Sequence, residues 1–158
     1  PKTFKNSVEA LMRRVLKGNS LPRINAIVDC YNLISLKFVF PAGGEDVDKL
    51  EGNLRLIYST GGEKFQRLNS SEIEIVPAGE IVYVDDNEVL CRRWNWSECN
   101  KTKFTEQTKN AFIVLEKLSG EHNDLENAVN ELKSLLEKYC DAKTMSFFLN
   151  KSNQQIEF

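Results

Sequence analysis

Near the C-terminal end, Leu125, Ala128, Val129, Leu132, Leu135, Leu136 and Tyr139 recur at intervals of one, three and four residues. That spacing gathers them on one side of an α-helix as a continuous apolar stripe. Such a helix draws most of its stability from tertiary packing of that side. The upstream chain therefore has to supply an apolar surface that covers it. Asn123 or Asp124 is the expected N-cap, because a short polar side chain there accepts from the free amides of the first turn.

Two more helices are predicted at the start. Val8, Leu11, Met12 and Val15 form an apolar side between Ser7, a cap, and Gly18, which tolerates the left-handed terminating conformation. After Pro22, the run Ile24–Phe40 carries Ile27, Tyr31, Ile34 and Phe38 at helical spacing. It reads as a largely buried helix closed by Pro41-Ala42-Gly43-Gly44. Strand signals follow at 54–58, 73–76, 80–84 and 88–92, the last two flanking the Asp85-Asp86-Asn87 turn. The segment 108–116 holds Ala111-Phe112-Ile113-Val114-Leu115, a buried central strand by composition. Residues 144–149 read as a final strand, and the pairs Gly43-Gly44 and Gly61-Gly62 as turns. Helices first, strands in the middle and a helix after them predict an α+β fold with a mainly antiparallel sheet. One domain over 1–158 is expected, and the start at Pro1 leaves room for a natural N-terminal segment ahead of it.

Composition excludes several classes. Lys plus Arg is 21 and Asp plus Glu 23, so the net charge of −2 allows a local basic patch but no generally basic surface. No run of 18 apolar residues exists, so no membrane helix is predicted and a cytoplasmic location is expected. Cys30, Cys91, Cys99 and Cys140 follow no metal or disulfide spacing and read as idle thiols. The single histidine, His122, sits in a polar Gly-Glu-His-Asn segment that reads as a solvated loop. A multi-histidine metal site is impossible, no cofactor motif occurs, and a Ser-His-Asp or Cys-His mechanism would depend on that one ring.

Three clusters stand out. Asn25, Asp29 and Asn32 are spaced by four and three on an otherwise apolar helix and so share one side of it. They form either a satisfied polar network or part of a site. Cys91-Arg92-Arg93-Trp94-Asn95-Trp96 brings both tryptophans beside adjacent arginines. Trp stacks on planar rings and Arg pairs with phosphate or carboxylate, although one Trp could equally anchor the core. Lys101, Lys103, Lys109, Thr108 and Asn110 precede Glu116, which lies between Leu115 and Leu118 at a strand end. A carboxylate there can read a ligand hydroxyl or ammonium, or close a rim salt bridge.

Taken in order, several segments look familiar. They are Ile24–Leu36, Pro41–Asp48, Gly62-Glu63-Lys64-Phe65, Val89–Trp96 and Thr105–Asn110. The series resembles the free-standing relatives of the tRNA-binding editing domain of the phenylalanyl-tRNA synthetase beta subunit. That resemblance implies an α+β fold, a pocket near the sheet and tRNA as partner. Asn25, Asp29 and Asn32 match the family's Asn-x-x-x-Asp-x-x-Asn run. Glu116 falls where the synthetase carries a glutamate that recognises the tyrosine hydroxyl, and Thr108 on the Thr ahead of that strand. This chain departs from the family in two places. The editing-site histidine is missing from Pro41–Asp48, where Glu45 is nearby. The small-residue segment of the family is replaced by Cys91–Trp96.

The expected function is hydrolysis of wrongly charged aminoacyl-tRNA in trans. The alternatives are a non-catalytic RNA-binding module and a small-molecule amino-acid pocket. The expected site places Asn25, Asn32 and Glu116 at the chemistry, the asparagines orienting groups and Glu116 contacting the aminoacyl group. Arg92, Arg93, Trp94, Asn95 and Trp96 would hold the terminal adenosine or phosphates, with Asp29, Glu45, Thr108, Lys109 and Asn110 beside them.

Overall fold

A computed structural model describes residues 4–118 and 122–157. The chain is α+β, and every paired strand in it is antiparallel. Helix α1 spans Ser7–Leu16. Its N-cap is Asn6, not Ser7: the Asn6 carboxamide oxygen accepts from Glu9 N at 2.8 Å. Ser7 instead turns its hydroxyl to Ala42 N at 3.1 Å, and its own amide donates to Asn95 O at 3.0 Å. The first turn of α1 is thereby tied to the two segments that build the site.

Helix α2 spans Ala26–Phe38. Asn25 caps it, accepting from Val28 N at 2.9 Å. The predicted end at Phe40 is two residues late. Val39 turns into the left-handed region, φ 58°, and Ser35 Oγ donates to Phe40 O at 2.6 Å. Pro41-Ala42-Gly43-Gly44 does not form a closing turn, because strand β1 runs through it, Ala42–Asp46. A 3-10 turn over Val47–Lys49 follows. Strands β2 (Arg55–Tyr58), β3 (Lys64–Gln66), β4 (Ile73–Ile75), β5 (Ile81–Val84), β6 (Val89–Arg92), β7 (Ser97–Glu98) and β8 (Ala111–Leu115) come next, then α3, His122–Cys140. Helix α3 begins at His122, so Asn123 and Asp124 lie inside its first turn and do not cap it. The predicted strand at 144–149 does not form. Its alternating Met145, Phe147 and Leu149 are exposed, and the only bridge nearby joins Asn150 to Asn153.

The strands make three small sheets, ordered β1-β8, β2-β5-β6-β7 and β3-β4. Two apolar cores result. Cys30, Ile34 and Phe40 pack against Ala128, Leu132 and Leu136, with Ile113 and Leu115 of β8 alongside. That core covers the α3 stripe. The second core gathers Phe65, Val76, Val82, Val84, Val89, Leu90 and Cys99. The β1-β8 ribbon stands at the edge of the helical core. No helix among the described residues is long and apolar enough to cross a membrane.

Candidate functional site

Strand register builds the site. Tyr83 pairs with Cys91 across β5-β6, and Cys91 with Glu98 across β6-β7. Directly opposed residues share a sheet face, so Tyr83, Cys91 and Glu98 stand in one row. In the β1-β8 ribbon, Gly43 opposes Val114 and Glu45 opposes Phe112. These residues line one cleft together with Gly44, Trp94, Asn95 and Glu116. Its cavity volume is about 10 Å³, room for a single water-sized group.

Glu116 follows β8 directly, where its amide donates to Pro41 O at 3.0 Å. Its carboxylate takes three donors. Tyr83 Oη donates to Oε1 at 2.6 Å, Trp94 Nε1 donates to the same oxygen, and Asn95 Nδ2 donates to Oε2 at 2.6 Å. Burial nevertheless holds its proton affinity above the usual carboxylate range, against the pull of those three bonds. The loop that brings Trp94 and Asn95 to it is conformationally unusual. Arg93 and Trp94 are consecutive residues at φ 50° and 70°, a region that costs a non-glycine residue roughly 1–2 kcal/mol. Trp94 N donates to Ile81 O at 2.8 Å and pins the turn to β5. On its other side Trp94 walls an apolar hollow of about 210 Å³ lined by Leu56, Ile57, Tyr58 and Ile81. Tyr58 there is 72% exposed.

The floor of the cleft is a carboxyl pair. The Glu45 and Glu98 side chains are hydrogen-bonded to one another. Thr102 Oγ1 donates to Glu45 Oε2, and Thr102 in turn contacts Cys99 Sγ at 3.0 Å. Burial and the Glu98 charge raise Glu45 well above the carboxylate range, so it keeps its proton. Burial also pushes Glu98 up, to about 7, although the Glu45 hydrogen bond favours its ionised form. Two carboxyl groups in contact cannot both ionise cheaply, which separates their proton affinities. Glu98 Oε2 has no solvent exposure, and the Cys91 thiol joins Glu45 in hydrogen-bonding the Glu98 carboxyl group. Gly43 makes the pair possible: a Cβ at that position would stand 2.7 Å from Glu98 Oε1.

The other sequence candidates lie elsewhere. Asn25 spends its side chain on the α2 cap, and Asp29 Oδ1 accepts from Ile24 N at 3.3 Å. Asn32 is buried on α2. None of the three lines the cleft. The expected basic patch is internally neutralised. Arg92 is only 7% exposed. Its Nε and Nη2 donate to the two Glu80 oxygens at 2.8 and 2.9 Å, and its Nη1 donates to Glu74 at 2.7 Å. Arg93 lies 3.3 Å from Glu80 and stacks over the Phe4 ring at 3.7 Å. Trp96 meets the Phe4 ring edge-on at 4.7 Å, with Arg67 over its face. Thr108 Oγ1 donates to Asp46 at 2.7 Å and Asn110 Nδ2 to Asp48 at 2.8 Å, which fastens their loop to the 3-10 turn. Lys109 is exposed. Lys101 bridges Glu51 at 2.6 Å and Asp85 at 2.8 Å. The four cysteines are free, and burial pushes Cys30 and Cys99 up to about 11, where they stay as thiols at neutral pH.

Sequence reasoning missed Glu98. The available signal was a lone acidic residue between Trp96-Ser97 and Cys99, set against a glycine pair upstream.

Residues 1–141 match the family model described as the B3/4 domain. The chain is 29% identical over 98 residues to the phenylalanine–tRNA ligase beta subunit of Fusobacterium nucleatum, covering 62% of this chain and 12% of that protein. It is 35% identical over 81 residues to the same subunit of Chromobacterium violaceum, covering 51% and 10%. The chain therefore spans about a tenth of the length of these curated relatives. Its fold is similar to an N-terminal fragment of the phenylalanyl-tRNA synthetase beta subunit from Pyrococcus horikoshii, with a TM-score of 0.57 at 18% identity. That match covers 75% of this chain and 42% of the fragment.

Proposed function

The chain belongs to the B3/4 domain family, and from that premise we propose that it binds tRNA and hydrolyses wrongly charged aminoacyl-tRNA in trans. The observation that carries this reading is Glu116. A carboxylate at the end of β8, gripped by Tyr83, Trp94 and Asn95, faces the same cleft as the Gly43-Gly44-Glu45 backbone. Such a group selects an aminoacyl side chain by hydrogen bonding, the kind of discrimination in which a missing partner is costly.

The ester of an aminoacyl-tRNA is already reactive. A catalyst has mainly to place a water and stabilise the oxyanion. The terminal ribose hydroxyl beside the ester helps orient that water, so a histidine is dispensable. The terminal adenosine stacks in the hollow between Trp94 and Tyr58, and Trp94, which lines both the hollow and the cleft, sets the aminoacyl group toward Glu116.

The test is ester loss from a panel of mischarged tRNAs, beginning with tyrosyl-tRNA of the phenylalanine type, against a control without protein. Loss above control is expected for at least one member, and Glu116→Ala is expected to change which member is accepted. Salt-dependent tRNA binding with no ester loss anywhere in the panel would make the protein an RNA-binding module instead.

A further inference from the structure

We propose that Glu98 is the general base of this cleft: its carboxylate takes a proton from a water that attacks an ester carbonyl, while Glu45 hydrogen-bonds to that carboxylate. The proposal rests on the hydrolytic reading above and adds the group that activates the nucleophile.

Three geometric facts support it. Glu98 lines the cleft and is paired there with the acid Glu45. The cavity in front has the volume of one water. The other carboxylate of the cleft, Glu116, already has donors on both oxygens. It is therefore poorly placed to accept another proton.

The groups facing Glu98 come from every neighbouring element. They are Glu45 on β1, Tyr31 on α2, Tyr83 on β5, Cys91 on β6 and Glu116 after β8. No cation is among them. Tyr31, Tyr83 and Cys91 are pushed above their ordinary values by burial and stay protonated at neutral pH. Glu45 remains the acid of the pair. Glu98, at about 7, is the member that exchanges a proton in the range where a general base works best.

The step balances as follows. The water oxygen bonds to the ester carbon while one water proton moves to the Glu98 carboxylate. The tetrahedral intermediate then expels the ribose oxygen, the carbon–oxygen ester bond breaks, and the proton on Glu98 passes to that leaving oxygen. The products are the free amino acid and the tRNA with its ribose hydroxyl restored.

The experiment is single-turnover deacylation of the mischarged tRNA that the wild type hydrolyses, followed from pH 5 to 9 with uncatalysed loss subtracted. The wild-type rate should rise about tenfold per pH unit and level off near pH 7. Glu98→Gln should lower the plateau by about 10²–10⁴-fold with tRNA affinity retained. Glu45→Gln still donates to Glu98 and should keep the inflection, whereas Glu45→Ala removes that donor and should move it to higher pH. Full activity in a folded Glu98→Gln overturns the base assignment and leaves the hydrolytic reading standing. If Glu98→Gln fails to fold, an inflection unmoved by Glu45→Ala overturns it equally. A wild type inactive on the whole panel removes both, and thereby identifies the earlier reading as the failure.

Discussion

Raising the pH from 4.5 to 8 should destabilise this protein, and the Glu45–Glu98 pair fixes the size of the effect. An ordinary glutamate titrates near 4.5, whereas Glu98 in the folded chain titrates at about 7. Between those values the folded state holds a proton that the unfolded chain has released. Stability changes with pH in proportion to protons bound unfolded minus folded. That difference is negative here, so stability falls as pH rises. A shift of about 2.5 pH units is worth about 3 kcal/mol, lost between roughly pH 4.5 and 7 and fully absent above. Glu45 and Glu116 are raised as well and push in the same direction. Glu63, held at about 2 chiefly by its bond from Ser59, works the other way, as do Glu80 and Asp85, but only below about pH 4.5. Maximum stability should therefore lie near pH 4–5, on the acid side of the usual range. Urea unfolding at constant ionic strength, read as midpoint and slope at each pH, tests this. Wild type should lose at least the roughly 3 kcal/mol of Glu98 from pH 4.5 to 7.5, and Glu98→Gln should lose less, keeping the part due to Glu45 and Glu116. A wild-type curve that is flat or rising across that interval, or an equal fall in the variant, would refute the reasoning.

Two further outcomes follow from the packing. Gly43 has an ordinary φ, so Gly43→Ala should fold. Its methyl would meet Glu98 Oε1 at 2.7 Å and displace the carboxyl group, costing about 1–3 kcal/mol and erasing the stability change near pH 7 in the same urea series. Arg92→Ala leaves Glu80 buried with only the longer Arg93 contact and should cost about 3–5 kcal/mol. The slope of log tRNA affinity against log salt should stay unchanged, because Arg92 has no free charge to give a phosphate. A slope reduced by about 1 would return Arg92 to the RNA interface.

How much of this was legible depended on whether the signal was local. The α3 stripe and the strands at 55–58, 81–84 and 89–92 carry their period within a few residues, and they form where the sequence places them. Strands β3 and β7 have three and two residues, too few for an alternation to show. Residues 144–149 alternate well but find no partner strand, and a strand alone has no ladder. Gly43-Gly44 reads as a turn in isolation. It is a strand because it pairs with Ile113 and Val114, about 70 positions away, and Gly43 leaves there the space that Glu98 fills. The arginine pair reads as a patch because its acid partners sit at 74 and 80, brought back only by the sheet. Glu116 is readable as a candidate because it stands at a strand end. Glu98 is not, because only the strand register puts it beside Cys91, where it pairs with Glu45.

The carboxyl pair also bears on the missing histidine. A lone Glu45 in so dry a place would simply stay protonated and could take no proton from water. Beside Glu98, its acid form stabilises the second carboxylate, and the two groups separate into one acid and one base near neutrality. Structure alone does not call for this arrangement. A glutamine at position 98 could keep the hydrogen bond to Glu45 without the roughly 3 kcal/mol that ionising Glu98 removes from stability at neutral pH. A destabilising carboxyl pair in a cleft is what the proposed base requires, stability exchanged for reactivity. The strained Arg93-Trp94 turn points the same way. It spends backbone energy to place two donors on Glu116, while Glu98 on the neighbouring strand is paired only with another acid, Glu45, and a thiol. Three donors fix the Glu116 carboxylate and leave about one of its four acceptor positions for a substrate group, whereas Glu98 is held only by its acid neighbour and a thiol, which is the division of roles that the proposed mechanism requires.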